Sequence, residues 1–522
     1  MFAVRFSEAL YKYRRVLFGA WLIHTFLIHY FVLGFMSWDG FGHRGFPIVE
    51  LYQHGSMEKW KFTEWSLNGY TPFVELVHIP FLHLFKMRGL LIGFPLLLPL
   101  CVMAVHALVG ELTGSKRAAT FGALAYLSIP MINQQPFSGY IDFAVCGILA
   151  FWLYALLKLR TDRRWVSYLR LAIATILFTL ARSQGPYVVV VLFPVLAFAL
   201  FCERDRFRIR IREKRTLLTA AAVILVAMAP SIALQISKYL TYGSPVAPLQ
   251  LKFLGITIGH GVSMETYFQY AGLGGGDIGS LLKGAFEGWV WTSDFPVRAF
   301  YASGQMAAGL LFVLAVVLLP VYLRKASRIE LWVLGAGVLV SLLSRDFAVP
   351  RWGYTTMIAI SLIIGRSLSD LSESRRGRVG FWAATVIVLV HLLRPEFDIL
   401  QCSENGLFTP RMNIVGSKYF YSGTMAWQVA LYPDHDSRLI IVENTADNFT
   451  LPLYGRRLTN QILGTVRKSA LGPHCENLVA IVALEPDALF VDDNDYTKDC
   501  NRTCAYGRQR CQGWRIKPLT AK

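Results

Sequence analysis

Charge is scarce in this sequence. Of 522 residues, 16% are Asp, Glu, Lys or Arg, against about 25% in an ordinary soluble domain. That scarcity excludes a soluble nucleic-acid binder, which needs a dense basic face in water. Disorder is excluded as well, because 54% of the residues are hydrophobic. Cysteine is also sparse, at 8 in the whole chain, too few for a secreted scaffold held by disulfides alone. No Walker-type Gly-rich loop, no paired CxxC spacing, no internal repeat and no low-complexity tract is present. The chain therefore codes no recognisable nucleotide-hydrolysis engine and no cysteine-based zinc site.

What is there is apolar and aromatic. Phe, Trp and Tyr make up 14%, with 13 Trp, a composition that suits a bilayer and its interfaces. About eleven segments approach the roughly 20 apolar residues a spanning helix needs: 16–36, 89–110, 118–133, 138–157, 165–181, 186–202, 216–236, 306–323, 331–344, 353–369 and 379–393. Three of these (118–133, 331–344 and 353–369) are short or polar-tipped, so the range is ten to thirteen. The first reads as a retained span, since it is too long for a signal peptide and no small-residue cleavage site follows it.

The net charge of +18 is distributed by side. Basic residues crowd the segment before the first span (Arg5 to Arg15) and then alternate connections: Lys116–Arg117, Lys158–Arg164, Arg204–Arg215, Arg324–Arg328 and Arg366–Arg378. The intervening short connections 134–137 and 183–186 hold none. This is the positive-inside pattern with a cytoplasmic N-terminus, and an odd number of spans places the tail outside. The two long outward loops, 37–88 and about 237–305, and the tail are each electrically balanced. The first loop has amphipathic stretches around Phe46–Gly55 and Pro72–Phe85 that suit the membrane surface. The tail, 396–522, has apolar runs of strand length at Leu439–Val442 and Ala488–Val491, with a helix-like stretch at Thr459–Ala470. It reads as a small α/β domain. Five of the cysteines (Cys402, Cys475, Cys500, Cys504 and Cys511) follow the last span, which suits an oxidising compartment and disulfides whose pairing spacing does not reveal. The expected fold is thus an α-helical polytopic membrane protein over 1–395 with an extracytoplasmic α/β domain over 396–522.

Ionisable residues in or beside spans are costly and mark function by default. Asp39 stands just past the first span. Asp142 opens the fourth and Arg182 closes the fifth. Arg345 and Arg351 bracket an outer hairpin. All five belong to one depth, the outer interface. Guanidinium forks suit phosphate, and a carboxylate suits deprotonation of an acceptor hydroxyl. The competing reading is helix-end residues paired with one another or with lipid headgroups. Tyr267, Tyr270, Trp289 and Trp291 of the second loop are placed to stack sugar rings or merely to anchor the interface, and Gly272–Gly276 reads as a hinge. Asp492-Asp493-Asn494-Asp495 lacks the ligand spacing of a calcium loop and reads as a solvated turn. The sequons at Asn448 and Asn501 matter only in a glycosylating host.

These motifs, in order, resemble the GT-C class of membrane glycosyltransferases, especially bacterial relatives of the dolichyl-phosphate-mannose protein mannosyltransferases. The resemblance covers about 1–395. It rests on Trp38-Asp39-Gly40, Asn68-Gly69-Tyr70-Thr71-Pro72, Ser138-Gly139-Tyr140-Ile141-Asp142, Arg182-Ser183-Gln184-Gly185, Tyr242-Gly243-Ser244-Pro245-Val246-Ala247-Pro248 and Arg351-Trp352. Departures are Gly40 where many relatives have Glu, Ser244 for Asn and Trp352 for Tyr. The resemblance implies a sugar donor on polyprenyl phosphate, an acceptor (lipid, glycan or protein) arriving from the outer side, and inversion at the anomeric carbon. It also implies Asp39 as base with Asp142 sharing acceptor orientation. Arg182, Arg351 and Arg345 then fall to the donor phosphate, and Glu50, His54, Tyr267 and Trp289 to acceptor or sugar contacts. No metal site and no definite cofactor are assigned, although a divalent cation is compatible with the chemistry. No nucleic-acid partner is expected. The location implied is a bacterial inner membrane with the tail periplasmic. Competing functions on the same residues are an envelope-polysaccharide polymerase or ligase, a lipid-linked sugar flippase, and a non-catalytic scaffold. A flippase would place its charges near the bilayer midplane and show repeats.

Overall fold

A computed structural model of the chain describes residues 2–27, 45–55, 73–182, 185–201, 211–245, 251–253, 256–259, 308–344, 353–374 and 377–392, with 457–459 and short strands in the tail. Two compact units result. One comprises Met1–Trp21, Leu97–Gln135 and Ile141–Pro395, and the other Leu22–Leu96, Pro136–Tyr140 and Glu396–Lys522.

Each of the eleven apolar segments carries a described helix: α1 (Phe2–Leu27), α4 (Gly93–Thr113), α5 (Lys116–Ser128), α7 (Asp142–Lys158), α8 (Trp165–Ala181), α9 (Gly185–Phe201), α10 (Ile211–Tyr242), α11 (Leu310–Leu323), α12 (Arg328–Ser344), α13 (Tyr354–Glu373) and α14 (Arg378–Leu392). Two are long and apolar enough to cross a membrane by that test alone: Gly93–Thr113, and Lys214–Leu240 within α10. The rest are shorter or more polar. Several boundaries differ from the expected ones. The first helix begins at Phe2 rather than residue 16. Segment 118–133 is not one helix. Ile129, which precedes Pro130, is held extended at φ −62°, ψ 120°, as a residue before proline prefers. A separate short helix, α6 (Pro130–Ser138), starts on that proline. Gly139, at φ 89°, then turns the chain in a conformation only glycine adopts cheaply, and α7 starts at Asp142. The second long loop begins later than residue 237, because α10 continues to Tyr242. The antiparallel pair β1 (Leu251–Phe253) and β2 (Ile256–Ile258) follows it.

Packing in this unit is set by small residues, as in bilayer proteins generally. A Cβ placed on Gly365 of α13 would lie 2.7 Å from the carbonyl oxygen of Ala118 and from the Cα of Gly122 in α5. One on Gly147 of α7 would lie 2.4 Å from Cys101 Sγ in α4. These contacts lock α5 against α13 and α4 against α7. The basic connections are bound into the helix ends. Arg366 donates to the carbonyls of Thr113 (3.1 Å) and Lys325 (3.2 Å). Arg117 joins Glu8 (2.7 Å) and Glu373 (3.0 Å). Ser327 and Glu330 form a reciprocal capping box that starts α12, at 2.9 and 3.3 Å.

In the second unit the amphipathic stretches of the first loop form α2 (Phe46–His54), a 3-10 turn over Val74–His78, α3 (Ile79–Phe85) and a second 3-10 turn over Lys86–Leu91. The tail contributes the hairpin β3 (Tyr419–Ser422) and β4 (Trp427–Ala430). It also contributes five strands, β5 (Arg438–Glu443), β6 (Gln461–Arg467), β7 (Ala480–Glu485), β8 (Asp487–Asp492) and β9 (Trp514–Pro518), in the order β6-β5-β7-β8-β9. Among the described strands of this sheet, only β5 and β6 run parallel. The helix expected at Thr459–Ala470 is therefore corrected to strand β6. Its Ile462, Thr465 and Val466 are β-branched and Gly464 is a poor helix former, so a pairing partner decides the outcome. Gln53 Nε2 of α2 donates to the carbonyl of Leu458, just before β6, at 2.8 Å. The disulfide expectation rests on tail cysteines that lie outside the described residues. The described Cys101 and Cys146 are buried free thiols.

Candidate active site

Three helix ends of the first unit meet at one carboxylate. Asp142 is the first residue of α7 and is 2% exposed. A negative charge there lies at the favourable end of the helix dipole. The preceding Ile141 offers no side-chain cap. Gln135 supplies it instead, its Oε1 accepting the Phe143 N–H at 2.8 Å. The Tyr126 hydroxyl donates to the Phe143 carbonyl at 2.9 Å, which fixes the first turn of α7 from the other side. Arg182 caps the C-terminal end of α8 with an extended backbone (φ −147°, ψ 140°), and its Nη2 pairs with Asp142 Oδ1. Tyr354, the first residue of α13, donates its hydroxyl to the same oxygen at 2.9 Å. The Arg182 guanidinium also sits 5.5 Å from the Tyr354 ring centroid, within cation–π range.

The carboxylate thus neutralises and orients one guanidinium, and the tyrosine holds both. A charge this buried persists only when paired and hydrogen-bonded. Arg182 is 19% exposed at its side chain against 2% for Asp142, so of the pair the arginine is the more accessible.

Of the residues singled out from sequence, Asp142 and Arg182 are brought together. Glu50 and His54 pair with each other along α2, Oε2 to Nε2 at 3.6 Å, with side chains 17% and 29% exposed. Asp39, Arg345, Arg351, Tyr267 and Trp289 lie outside the described residues. Tyr354 was not anticipated. The available signal was its place at the start of a late span, three residues after Arg351. Among the described residues no group of three His, Cys, Asp or Glu side chains is arranged to hold a metal.

Residues 72–233 match the family model of dolichyl-phosphate-mannose-protein mannosyltransferase. The resemblance to that family is shown over this segment. Asp142 and Arg182 fall inside the mannosyltransferase-like segment, and Tyr354 follows it in the chain. A search of curated proteins finds no match. Among solved structures, ArnT from Cupriavidus metallidurans bound to undecaprenyl phosphate is 15% identical, with a TM-score of 0.46 over 72% of this chain and 63% of its own. The oligosaccharyltransferase of Archaeoglobus fulgidus is 12% identical, with a TM-score of 0.47 over 85% of this chain and 64% of its own. The chain thus spans less than two thirds of the length of either structure.

Proposed function

We propose that this protein is a multi-span membrane glycosyltransferase that moves a sugar from a polyprenyl-phosphate donor to an acceptor on the outer side of the membrane. The buried Asp142–Arg182–Tyr354 cluster carries the reading, because two of its members lie in the mannosyltransferase-like segment. In the reaction an acceptor hydroxyl attacks the anomeric carbon, the bond from that carbon to the phosphate oxygen breaks, and the electron pair leaves with the polyprenyl phosphate. One displacement inverts the centre. The departing phosphate gains negative charge, so donors aimed at it act mainly in the transition state. Arg182 fills that role, oriented by Asp142 and Tyr354, with Arg351 and Arg345 as further cations. Asp142, engaged by two donors, acts as a positioning residue for Arg182 and not as an acceptor ligand. The base is Asp39, which takes the acceptor proton. Glu50, His54, Tyr267 and Trp289 contribute acceptor or sugar contacts. The alternation of basic connections supports a cytoplasmic N-terminus with residues 396–522 outside, and a membrane domain over 1–395 in a bacterial inner membrane.

The test is transfer by the purified full chain from polyprenyl-phosphate sugars to candidate lipid, glycan and protein acceptors, comparing wild type with Asp39→Asn. Loss of transfer in Asp39→Asn with donor binding intact is the expected result. Full activity in that variant removes Asp39 as the base.

A further inference from the structure

Helix α10 runs to Tyr242 and so carries Lys238 within its last two turns. Helix α10 is a membrane helix with two unlike faces. Val226, Ile236 and Leu240 are exposed, while Ala227, Met228, Ser231 and Lys238 are buried. The buried residues recur at helical spacing and form one stripe facing the rest of the bundle. Its first members are apolar and its last are polar, ending in a lysine that is only 6% exposed. A lysine that merely snorkels sends its ammonium along the exposed face to water or headgroups. Lys238 lies on the opposite face.

The neighbours of that stripe lead to the candidate site. Ser231 Oγ donates to the carbonyl of Thr179 in α8 at 2.9 Å. Thr179 is three residues before Arg182, and Lys238 is seven residues, two turns, after Ser231. Ser231 meets Thr179, before Arg182, and Gln235, four residues further along α10, meets Tyr187, after Arg182, so α10 runs from the Thr179 level toward the Arg182 end. Beyond the Ser231–Thr179 contact, both therefore continue toward the end where Arg182 meets Asp142. The rise is about 4–5 Å to Arg182 and about 10 Å to Lys238, a difference that a lysine stem bridges. Tyr187, in the first turn of α9, donates to Gln235 of α10 at 3.5 Å, which brings a third helix end to the same level.

We infer that Lys238 is a second cation of the donor site and contacts the phosphate of the polyprenyl-phosphate sugar together with Arg182. This rests on the donor reading above. Arg182 supplies a planar fork and Lys238 a compact ammonium, so the two approach one phosphate from different helices, α8 and α10. The role is binding and charge stabilisation, and no proton moves through it.

The experiment measures binding of undecaprenyl phosphate to the full chain in lipid nanodiscs, for wild type, Lys238→Gln, Lys238→Arg and Arg182→Gln, with thermal unfolding of each. Lys238→Gln is expected to weaken binding at least about tenfold, the loss of one charge-assisted hydrogen bond, while Lys238→Arg restores most of it. In parallel, acylation of Lys238 in the wild type is followed by mass spectrometry with and without undecaprenyl phosphate, and the lipid is expected to protect it. This arm needs no variant and decides the matter should Lys238→Gln fail to fold. Wild-type binding that Lys238→Gln leaves unchanged, or acylation of Lys238 unaffected by bound lipid, overturns the assignment of Lys238 alone. Failure of the wild type to bind undecaprenyl phosphate overturns the donor reading and the assignment with it.

Discussion

Asp142 Oδ1 accepts from both Arg182 and Tyr354, and neutralising the acceptor differs in effect from removing one donor. Asp142→Asn leaves a guanidinium without its counter-charge in a buried setting, and losing one partner of a buried pair costs roughly 3–5 kcal/mol. Tyr354→Phe keeps the ring beside Arg182 and removes one hydrogen bond to a charged group, which costs about 2 kcal/mol. We expect Asp142→Asn to abolish transfer and lower the melting temperature clearly, and Tyr354→Phe to cut kcat by about tenfold with a smaller thermal shift. Steady-state kinetics and thermal unfolding in the same detergent check both. The pair Asp142 and Arg182 was legible from sequence, because charges beside apolar runs are rare enough to single out. The tyrosine was not, since its contact joins residues 212 positions apart and no local pattern signals it. Lys238 falls within the loop bounds that the sequence suggests, about 237–305, whereas the helix runs to Tyr242. His78, in the 3-10 turn over Val74–His78, makes the stability depend on pH. Burial lowers its pKa to about 4, its Nδ1–H donates to the Gly89 carbonyl at 3.3 Å, and its ring packs on Phe94. A depressed folded-state value means the unfolded chain takes the proton first. Its neutral-state contribution is full above pH 6.5 and is lost as pH falls toward 4, by about 3 kcal/mol in all. Thermal unfolding of wild type between pH 7 and 5 should show this loss, and His78→Asn should show less of it.

At the scale of elements, the site depends on how closely α13 can approach α5. Gly365 and Gly122 let the backbones of α13 and α5 nearly touch, and the helix they hold begins at Tyr354, the partner of Asp142. Gly365→Ala puts a methyl 2.7 Å from backbone atoms of α5, a clash that only a helix shift relieves, at a cost of roughly 1–3 kcal/mol. The variant should lose both thermal stability and the Tyr354-dependent part of the activity. A wild-type melting temperature in Gly365→Ala would show that α13 is free to move. Elements were readable where periodicity is long, so every apolar segment carries a helix. They were misread where runs are short. Thr459–Ala470 carries a seven-residue strand, because a short apolar run reads equally as helix or strand until a pairing partner decides. Proline and glycine moved the remaining boundaries, at Ile129–Pro130 and Gly139.

For the whole molecule, we propose that the excess positive charge is first a signal of sidedness. Many of the basic residues behind it also tie helix ends together, as Arg117 and Arg366 do, so sorting by side and structural use coincide. A cysteine introduced at Arg160 should react with a membrane-impermeant maleimide only after the cells are opened, while a tag at the C-terminus should be accessible in spheroplasts. Accessibility of both from the same side would contradict the assigned orientation. The small remainder of basic residues, at the outer helix ends, is the part assigned to chemistry. The measurement that tests this most directly follows the fate of a radiolabelled sugar on undecaprenyl phosphate, supplied to the purified full chain in proteoliposomes with acceptor. Wild type should cleave the sugar–phosphate bond and label the acceptor, and Arg182→Gln should lose this activity by about a hundredfold or more. Label that stays on intact lipid, whether or not it crosses the bilayer, would contradict the account.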